Sequence, residues 1–207
     1  MKKVLIGLFI AIFIVSAAIF GYIYYKSHQK VEDVPQNKPE LVEAIDAYGY
    51  KLEDRDTALF KEVFEELKTT LKEEKIDYSL YAKLLSELYI IDFYTISNKV
   101  SKYDVGGGDY VHPDYRDNFE LKARDTIYKY VEDNSYNTRN QDLPEVKSIT
   151  ETEVTDSEYT LNEKKYASYK VSIKWDYTSE NEYDTEAILF LIKYENKLYV
   201  VEQKAQK

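Results

Sequence analysis

The sequence predicts an α+β fold, in which about four helices pack on a C-terminal antiparallel sheet of about four strands. Apolar residues recur at three-to-four spacing between 40 and 132, which is typical of amphipathic helices. Between 146 and 204 they alternate with polar residues, which is typical of strands. Helices followed by a run of strands indicate an α+β domain with the helices on one face of the sheet. We see no internal repeat.

An uncharged apolar run from Val4 to Tyr25 precedes this predicted domain, with Lys2, Lys3 and Lys26 at its ends. A helix needs about 20 apolar residues to cross the hydrocarbon core of a bilayer, and this run is long enough. Lysines and tyrosines at its ends suit the membrane interface. We therefore predict a transmembrane anchor over 1–25, a polar tether over 26–39 and a single domain over 40–207.

A cleaved signal peptide is the alternative to an anchor, because Ala17 and Ala18 resemble a small-residue cleavage site. The run stays apolar from Ile19 to Tyr25, beyond the length of a typical signal core, which favours the anchor. Lysines stand at both ends, so the charge rule for orientation is nearly balanced. A short leader before a long acidic domain predicts a domain on the outer side of the cell membrane.

Four helices are predicted in the first part of the domain. They extend from Glu40 to Gly49, from a cap at Asp54 or Asp56 to Glu73, from Asp77 or Ser79 to Ser97, and from Asn118 to Glu132. The third is apolar almost all round and should be the most buried. The fourth begins with Asp117 and Glu120, which resemble a capping box.

The second part of the domain contains the predicted strands. Alternation is clearest over 166–177, where Val171, Ile173 and Trp175 share one face. Residues 183–194 form the next strand, and a turn at 195–197 returns the chain into LYVVEQ. The Thr-rich stretch 146–155 suits an edge strand.

Charge and cysteine content exclude several functions. The whole chain has a formal net charge of −10. Residues 1–30 contain four lysines and no acidic residue, so the rest of the chain has a net charge of −14. Such a domain is a poor partner for nucleic acid, whose phosphates require Lys and Arg. The chain has no cysteine, which excludes disulfides and thiolate chemistry. No catalytic residue, metal site or cofactor is predicted, and the domain is predicted not to be an enzyme.

Asp92 is the residue most suited to a pocket, because it lies within the apolar third helix. A buried carboxylate needs a partner or a raised pKa. With Tyr89 or Tyr128 it would form a ligand pocket between sheet and helices. The alternative is a structural carboxylate hydrogen-bonded to tyrosine or backbone.

A second set of candidates surrounds three successive glycines at 106–108, namely Asp104, Asp109, His112 and Asp114. One interpretation is a site for a small cation or a substrate. The other is a turn in which Gly and Asp serve the backbone geometry. The spacing fits no EF-hand loop and the segment offers one histidine, which favours the turn.

Four segments carry a resemblance to known proteins: YIIDFYTISNK (89–99), DVGGGDYV (104–111), FELKARDTIYKYV (119–131) and RNQDLPEV (139–146). They resemble uncharacterised single-pass membrane proteins of low-GC Gram-positive bacteria. The layout is similar to the nuclear-transport-factor-2-like class, also described as a cystatin-like roll. Membrane-anchored members of that class include the scaffold subunit of type IV secretion systems, which contacts proteins. The resemblance implies an architecture more than a particular function.

The sequence therefore predicts a membrane-anchored, non-catalytic scaffold or binding domain that contacts envelope or secretion-system proteins. Tyrosine, with 22 copies, supplies the rigid amphipathic area that protein interfaces use. The alternative is a small-ligand binder or a hydrolase with a pocket near Asp92.

Overall fold

The computed structural model describes residues 19–22 and 36–205. The predicted anchor lies outside these residues except for 19–22, which are helical and exposed, and most of the predicted tether lies outside them too. Within the described part, no helix is long and apolar enough to span a bilayer. The chain divides into two compact units between Gln36 and Asn37, and the second unit is the one described below.

A four-stranded antiparallel sheet forms the C-terminal part of this unit. Its strands are β3 (Val146–Leu161), β4 (Lys164–Tyr177), β5 (Glu186–Tyr194) and β6 (Lys197–Ala205), joined in sequence order as a meander. The strand patterns and the predicted α+β class are thus confirmed. β3 is longer than predicted, since it continues to Leu161.

Helices pack on one face of the sheet, where the predicted apolar face of β4 lies. Val171, Ile173 and Trp175 are each at most 1% exposed, and Val171 and Ile173 pair with Leu189 and Ala187 of β5, which are buried as well. The strands β3 and β4 continue past the end of β5, so Ala167 near the hairpin tip is exposed although the alternation over 166–177 puts it on the same side as Val171.

Two helices cover this face, α1 (Ala58–Thr70) and α2 (Tyr78–Tyr94). The Thr57 hydroxyl caps α1 by accepting from the Phe60 amide, a position that the sequence assigned to Asp54 or Asp56. Asp77 caps α2 as predicted. Twelve residues of α2 are buried, which confirms the prediction that it is the most buried helix.

The first predicted helix is wrong, because residues 41–53 form a β-hairpin of β1 (Leu41–Ile45) and β2 (Tyr50–Glu53). Gly49 has a φ of 68°, which lets the chain turn at the point predicted to end a helix. In β2, buried Tyr50 and Leu52 alternate with exposed Lys51. Alternation of buried and exposed side chains is typical of a strand. It begins at Tyr50, just after the short stretch that was interpreted as helical.

The fourth predicted helix begins earlier than expected and ends earlier too. The structure has α3 at Pro113–Asp125, with His112 as its cap. Proline suits the first turn of a helix because it has no amide hydrogen to leave unpaired. The capping box predicted at Asp117 and Glu120 is therefore wrong. Residues 126–130 form turns, although Tyr128 is fully buried.

The sheet ends in β3 on one side and in β6 on the other. The outer edge of β6 meets the segment before α3 at one point, where Val111 forms an isolated parallel bridge with Val200. The His112 amide donates to the Val200 carbonyl at 3.0 Å. A short 3₁₀ helix, Gly108–Tyr110, precedes this bridge.

Candidate interaction groove

The carboxylate of Asp92 has protein partners for both of its oxygens. Lys99 donates to Oδ1 at 2.5 Å and the Gly107 amide donates to Oδ2 at 2.6 Å. The side chain of Lys99 is only 1% exposed, so this ammonium has little access to water. Asp92 is therefore a structural carboxylate held by a lysine side chain and a backbone amide.

Tyr128 lies close to Asp92 and is also fully bonded. Its hydroxyl donates to the Phe93 carbonyl at 2.7 Å and accepts from the Gly106 amide at 3.1 Å. Burial raises the pKa of this hydroxyl well above its usual range, so it stays protonated. The hydroxyl fixes the glycine segment to the end of α2.

Tyr89 meets the same glycine segment with its ring and faces β6 with its hydroxyl. The hydroxyl donates to the Gln203 side chain at 2.6 Å, and that amide in turn donates to Tyr94 at 2.7 Å. The structure thus brings Asp92, Tyr89 and Tyr128 together around Gly106 and Gly107. Their polar atoms bind neighbouring protein groups.

Asp104 pairs with Arg55, which lies far away in the sequence. Two guanidinium nitrogens of Arg55 donate to the two carboxylate oxygens, and the Val100 amide donates to one of them. Burial alone would raise the pKa of Asp104, but the hydrogen bonds and charge of Arg55 outweigh it and lower that pKa. Asp104 thus holds the loop against the residues after β2.

The other three loop candidates do not converge on a common point. Asp109 lies 3.8 Å from Arg116, and Asp114 is 71% exposed at the start of α3. His112 is buried, and its Nδ1 accepts from the Asp114 amide at 3.3 Å. Within residues 19–22 and 36–205 no group of three or more His, Asp or Glu side chains could hold a metal ion. Asp104, Asp109 and the His112–Asp114 pair therefore make three separate structural contacts.

A groove of about 550 Å³ separates α3 from β6. Its floor is aromatic, formed by Tyr89, Phe93 and Phe119, whose rings contact one another. The rest of its lining comes from Val111, from Tyr115, Asn118, Lys122, Ala123 and Thr126 of α3 and its end, and from Val200, Val201, Glu202, Gln203 and Ala205 of β6. Of the predicted pocket residues, Tyr89 lines this groove, whereas Asp92 and Tyr128 do not.

The sequence pattern did not predict the groove. It also did not identify Arg55, Lys99 and Gln203 as the partners of the candidate residues. An alternation over 197–205 identifies β6 as a strand, but nothing in it marks an edge strand. Phe119 and Ala123 are apolar residues at helical spacing in α3, and both line the groove. That apolar face was the one available signal.

Comparison with known proteins finds no family model, curated protein or solved structure that matches this chain.

Proposed function

We propose that this chain is a membrane-anchored, non-catalytic scaffold or binding protein whose domain contacts another protein of the cell envelope, such as a secretion-system component. One observation carries the proposal. The polar groups best suited to chemistry, Asp92 and Tyr128, bind neighbouring protein groups, whereas an aromatic groove lies open between α3 and β6. Exposed apolar grooves with polar rims are typical of interaction sites.

The membrane location and the finer fold belong to the same proposal. The apolar run Val4–Tyr25 supports an anchor, and the acidic domain behind it supports a position away from anionic lipid heads. Helices on one face of an antiparallel meander support membership of the cystatin-like roll class, which the sequence resembles. An experimental structure compared with rolls of that class would test the finer fold.

A small-ligand binder is the second candidate, and the size of the groove favours it. Ligand pockets are typically about 300–1,000 Å³, and this groove lies in that range. The predicted hydrolase site has less support, because Asp92 does not line the groove. Binding of small apolar molecules to Tyr89 and Phe119 would replace protein contact as the function if it proved specific and tight.

Site-specific photo-crosslinking in living cells tests the proposal. A photoreactive amino acid is placed at Lys122 in the groove and, in separate variants, at the exposed tyrosines 103, 130, 136 and 194. We expect at least one position to form a covalent adduct with a particular second protein. A position on the hairpin tip, Glu158, is the control for random collision.

The outcome is decisive in either direction. Adducts of a constant mass that appear at one surface and are absent at Glu158 support a protein contact. Adducts no more abundant at any of the five positions than at Glu158 would overturn the proposed function and favour the small-ligand alternative.

A further inference from the structure

We propose that the groove binds an extended segment of a partner protein, which pairs with the outer edge of β6 as an additional strand. This inference rests on the proposed function, since it specifies how a protein partner is held. The occupant is a strand with apolar side chains at alternate positions and with Lys or Arg at its ends. Its recognition would combine backbone hydrogen bonds with apolar contacts, as in other cases of strand addition.

Within the described residues, the chain pairs with the outer edge of β6 at one point and leaves the rest of that edge unpaired. The Val111–Val200 bridge pairs one point of this edge in parallel, and Pro113 then leads the chain away into α3. In the described part of the chain, no other segment pairs with the outer edge of β6. The backbone of 201–205 therefore lies beside the groove as an unpaired template for a strand.

The groove provides the second wall and the floor that such a strand requires. Five residues of β6 extend about 17 Å at 3.3 Å per residue. Every second side chain of an added strand would point to the same side. There the partly exposed ring of Phe119 and the edges of the Tyr89 and Phe93 rings, which are 2% and 7% exposed, form an apolar floor.

The opposite edge, β3, does not offer the same template. Acidic side chains recur along it at Glu151, Glu153, Asp156 and Glu158, and charges on an edge strand oppose pairing with another chain. The template at 201–205 carries one charge of each sign, Glu202 and Lys204, and these two side chains pair at 3.0 Å. β6 also has an irregular register at Val201, and such bulges are frequent at functional edges.

The negative net charge of the domain favours a partner segment with Lys or Arg at its ends. The chain after residue 30 carries −14, so a basic segment gains from its field during approach. The groove lining contains two charged residues of opposite sign, Lys122 and Glu202, and Glu202 pairs with Lys204 at 3.0 Å. The lining therefore has no net charge, and its centre suits apolar side chains.

Binding of synthetic peptides to the full-length chain in detergent micelles tests this inference. The probes are short peptides in which Val, Ile, Leu or Phe alternates with Ser, with Lys at each end. Each has a matched control peptide that is N-methylated at alternate backbone amides, which keeps the side chains and removes strand hydrogen bonds. We expect methylation to weaken binding at least about tenfold, and bound peptide to slow hydrogen exchange at the amides of 201–205.

Two variants give a matched comparison on the protein side. Val201→Asp puts a charge into the groove at a half-buried position outside the core, and we expect it to weaken peptide binding about tenfold or more. Thr155→Asp adds the same charge to the exposed opposite edge and should leave binding unchanged.

Equal binding of parent and methylated peptides, equal binding by Val201→Asp, or no binding by any peptide would each overturn strand addition. Photo-crosslinks at positions other than the groove would then leave the proposed function standing. Failure of the crosslinks as well would remove both.

Discussion

Gly106 has no side chain, and this lets its loop pack directly against the backbone of α2. A β-carbon at this position would lie 2.1 Å from the Asp92 carbonyl oxygen, a backbone atom of a buried helix that has little room to move. Gly107 adds a φ of 80° and lies against the Tyr89 ring. The close approach lets the Gly106 and Gly107 amides bond Tyr128 and Asp92.

We therefore expect Gly106→Ala to destabilise the fold by about 3 kcal/mol or more, because the added methyl group forces the loop away from α2. Gly108→Ala is the matched control. Its β-carbon would meet only the end of the flexible Glu120 side chain, so the change should be about 1 kcal/mol or less. Urea denaturation of the full-length chain measures both, and equal losses would contradict this account.

Asp56 gives the fold a dependence on pH. Burial raises the pKa of Asp56 to about 6, although the Glu53 amide donates to its carboxylate. Because this folded pKa lies above the ordinary value, the folded state binds more protons than the unfolded state between about pH 4 and 6. The contribution of Asp56 to stability is therefore present at low pH and is lost as pH rises through about 6.

We predict that Asp56→Asn is more stable than the parent at pH 7 by about 1 kcal/mol, a value reduced for solvent screening of this partly exposed group. The advantage should vanish below about pH 4. His112 acts in the opposite direction, since burial lowers its pKa and acid then destabilises the fold. Comparing Asp56→Asn with the parent at each pH isolates Asp56. A constant difference across this range would contradict the prediction.

Single residues also show what the sequence could predict about the candidate site. Asp92 was expected to need a partner because burying an unpaired carboxylate costs free energy. In the structure Lys99 and the Gly107 amide are its partners. The identity of those partners depends on how the loop at 99–107 folds back on α2. Arg55 and Asp104 likewise meet across 49 positions of sequence. Local patterns contain no information about such contacts.

At the scale of elements, periodicity predicted the long segments and failed on short ones. α2 and β4 extend over 17 and 14 residues, so their patterns repeat several times and were interpreted correctly. β1 and β2 extend over only five and four residues, too few to separate the two periods. Tyr50 packs against Tyr81 and Tyr110. This packing, like the pairing of β1 with β2, is a tertiary contact that a local sequence pattern does not encode.

The β3–β4 hairpin offers a test at this scale. Its turn residues Asn162 and Glu163 both have positive φ, at 48° and 64°, as a two-residue turn between antiparallel strands requires. Asparagine tolerates this conformation, whereas a glutamate in it is strained. Glycine is the preferred second residue of such a turn.

Glu163→Gly should therefore stabilise the chain by about 0.5–1 kcal/mol, since the strain removed exceeds the entropy that glycine adds to the unfolded state. Thermal unfolding of the full-length protein would show a higher midpoint. Asn162→Ala, which moves a less tolerant residue into the same turn, should lower it. A lower midpoint for Glu163→Gly would show that the turn is not under strain.

At the scale of the whole molecule, composition and the order of patterns predicted the α+β class, because both depend on sums over many residues. The groove depends on where α3 lies against β6, and that position follows from the Val111–Val200 bridge and the proline after His112. A sheet edge is defined by what is absent beside it. The Thr-rich sequence of 146–155 predicted the β3 edge, which is confirmed, whereas nothing in 197–205 marks β6 as the other edge.

The proposed orientation of the molecule in the membrane gives the last prediction. An anchor over Val4–Tyr25 with the acidic domain on the outer side would leave the polar loop after α3 accessible from outside the cell. This loop, 126–145, has no helix or strand and contains exposed residues such as Tyr136. Chain segments of this kind are preferred sites of proteolysis.

Protease added to intact cells should therefore cut the domain, while a cytoplasmic marker protein in the same cells stays whole. Gly106→Ala provides an internal comparison, because a destabilised domain on the outer side should be cut faster than the parent. Survival of the domain in intact cells, followed by its loss on lysis, would place it on the inner side. That result would move the search for its partner from the envelope to the cytoplasm.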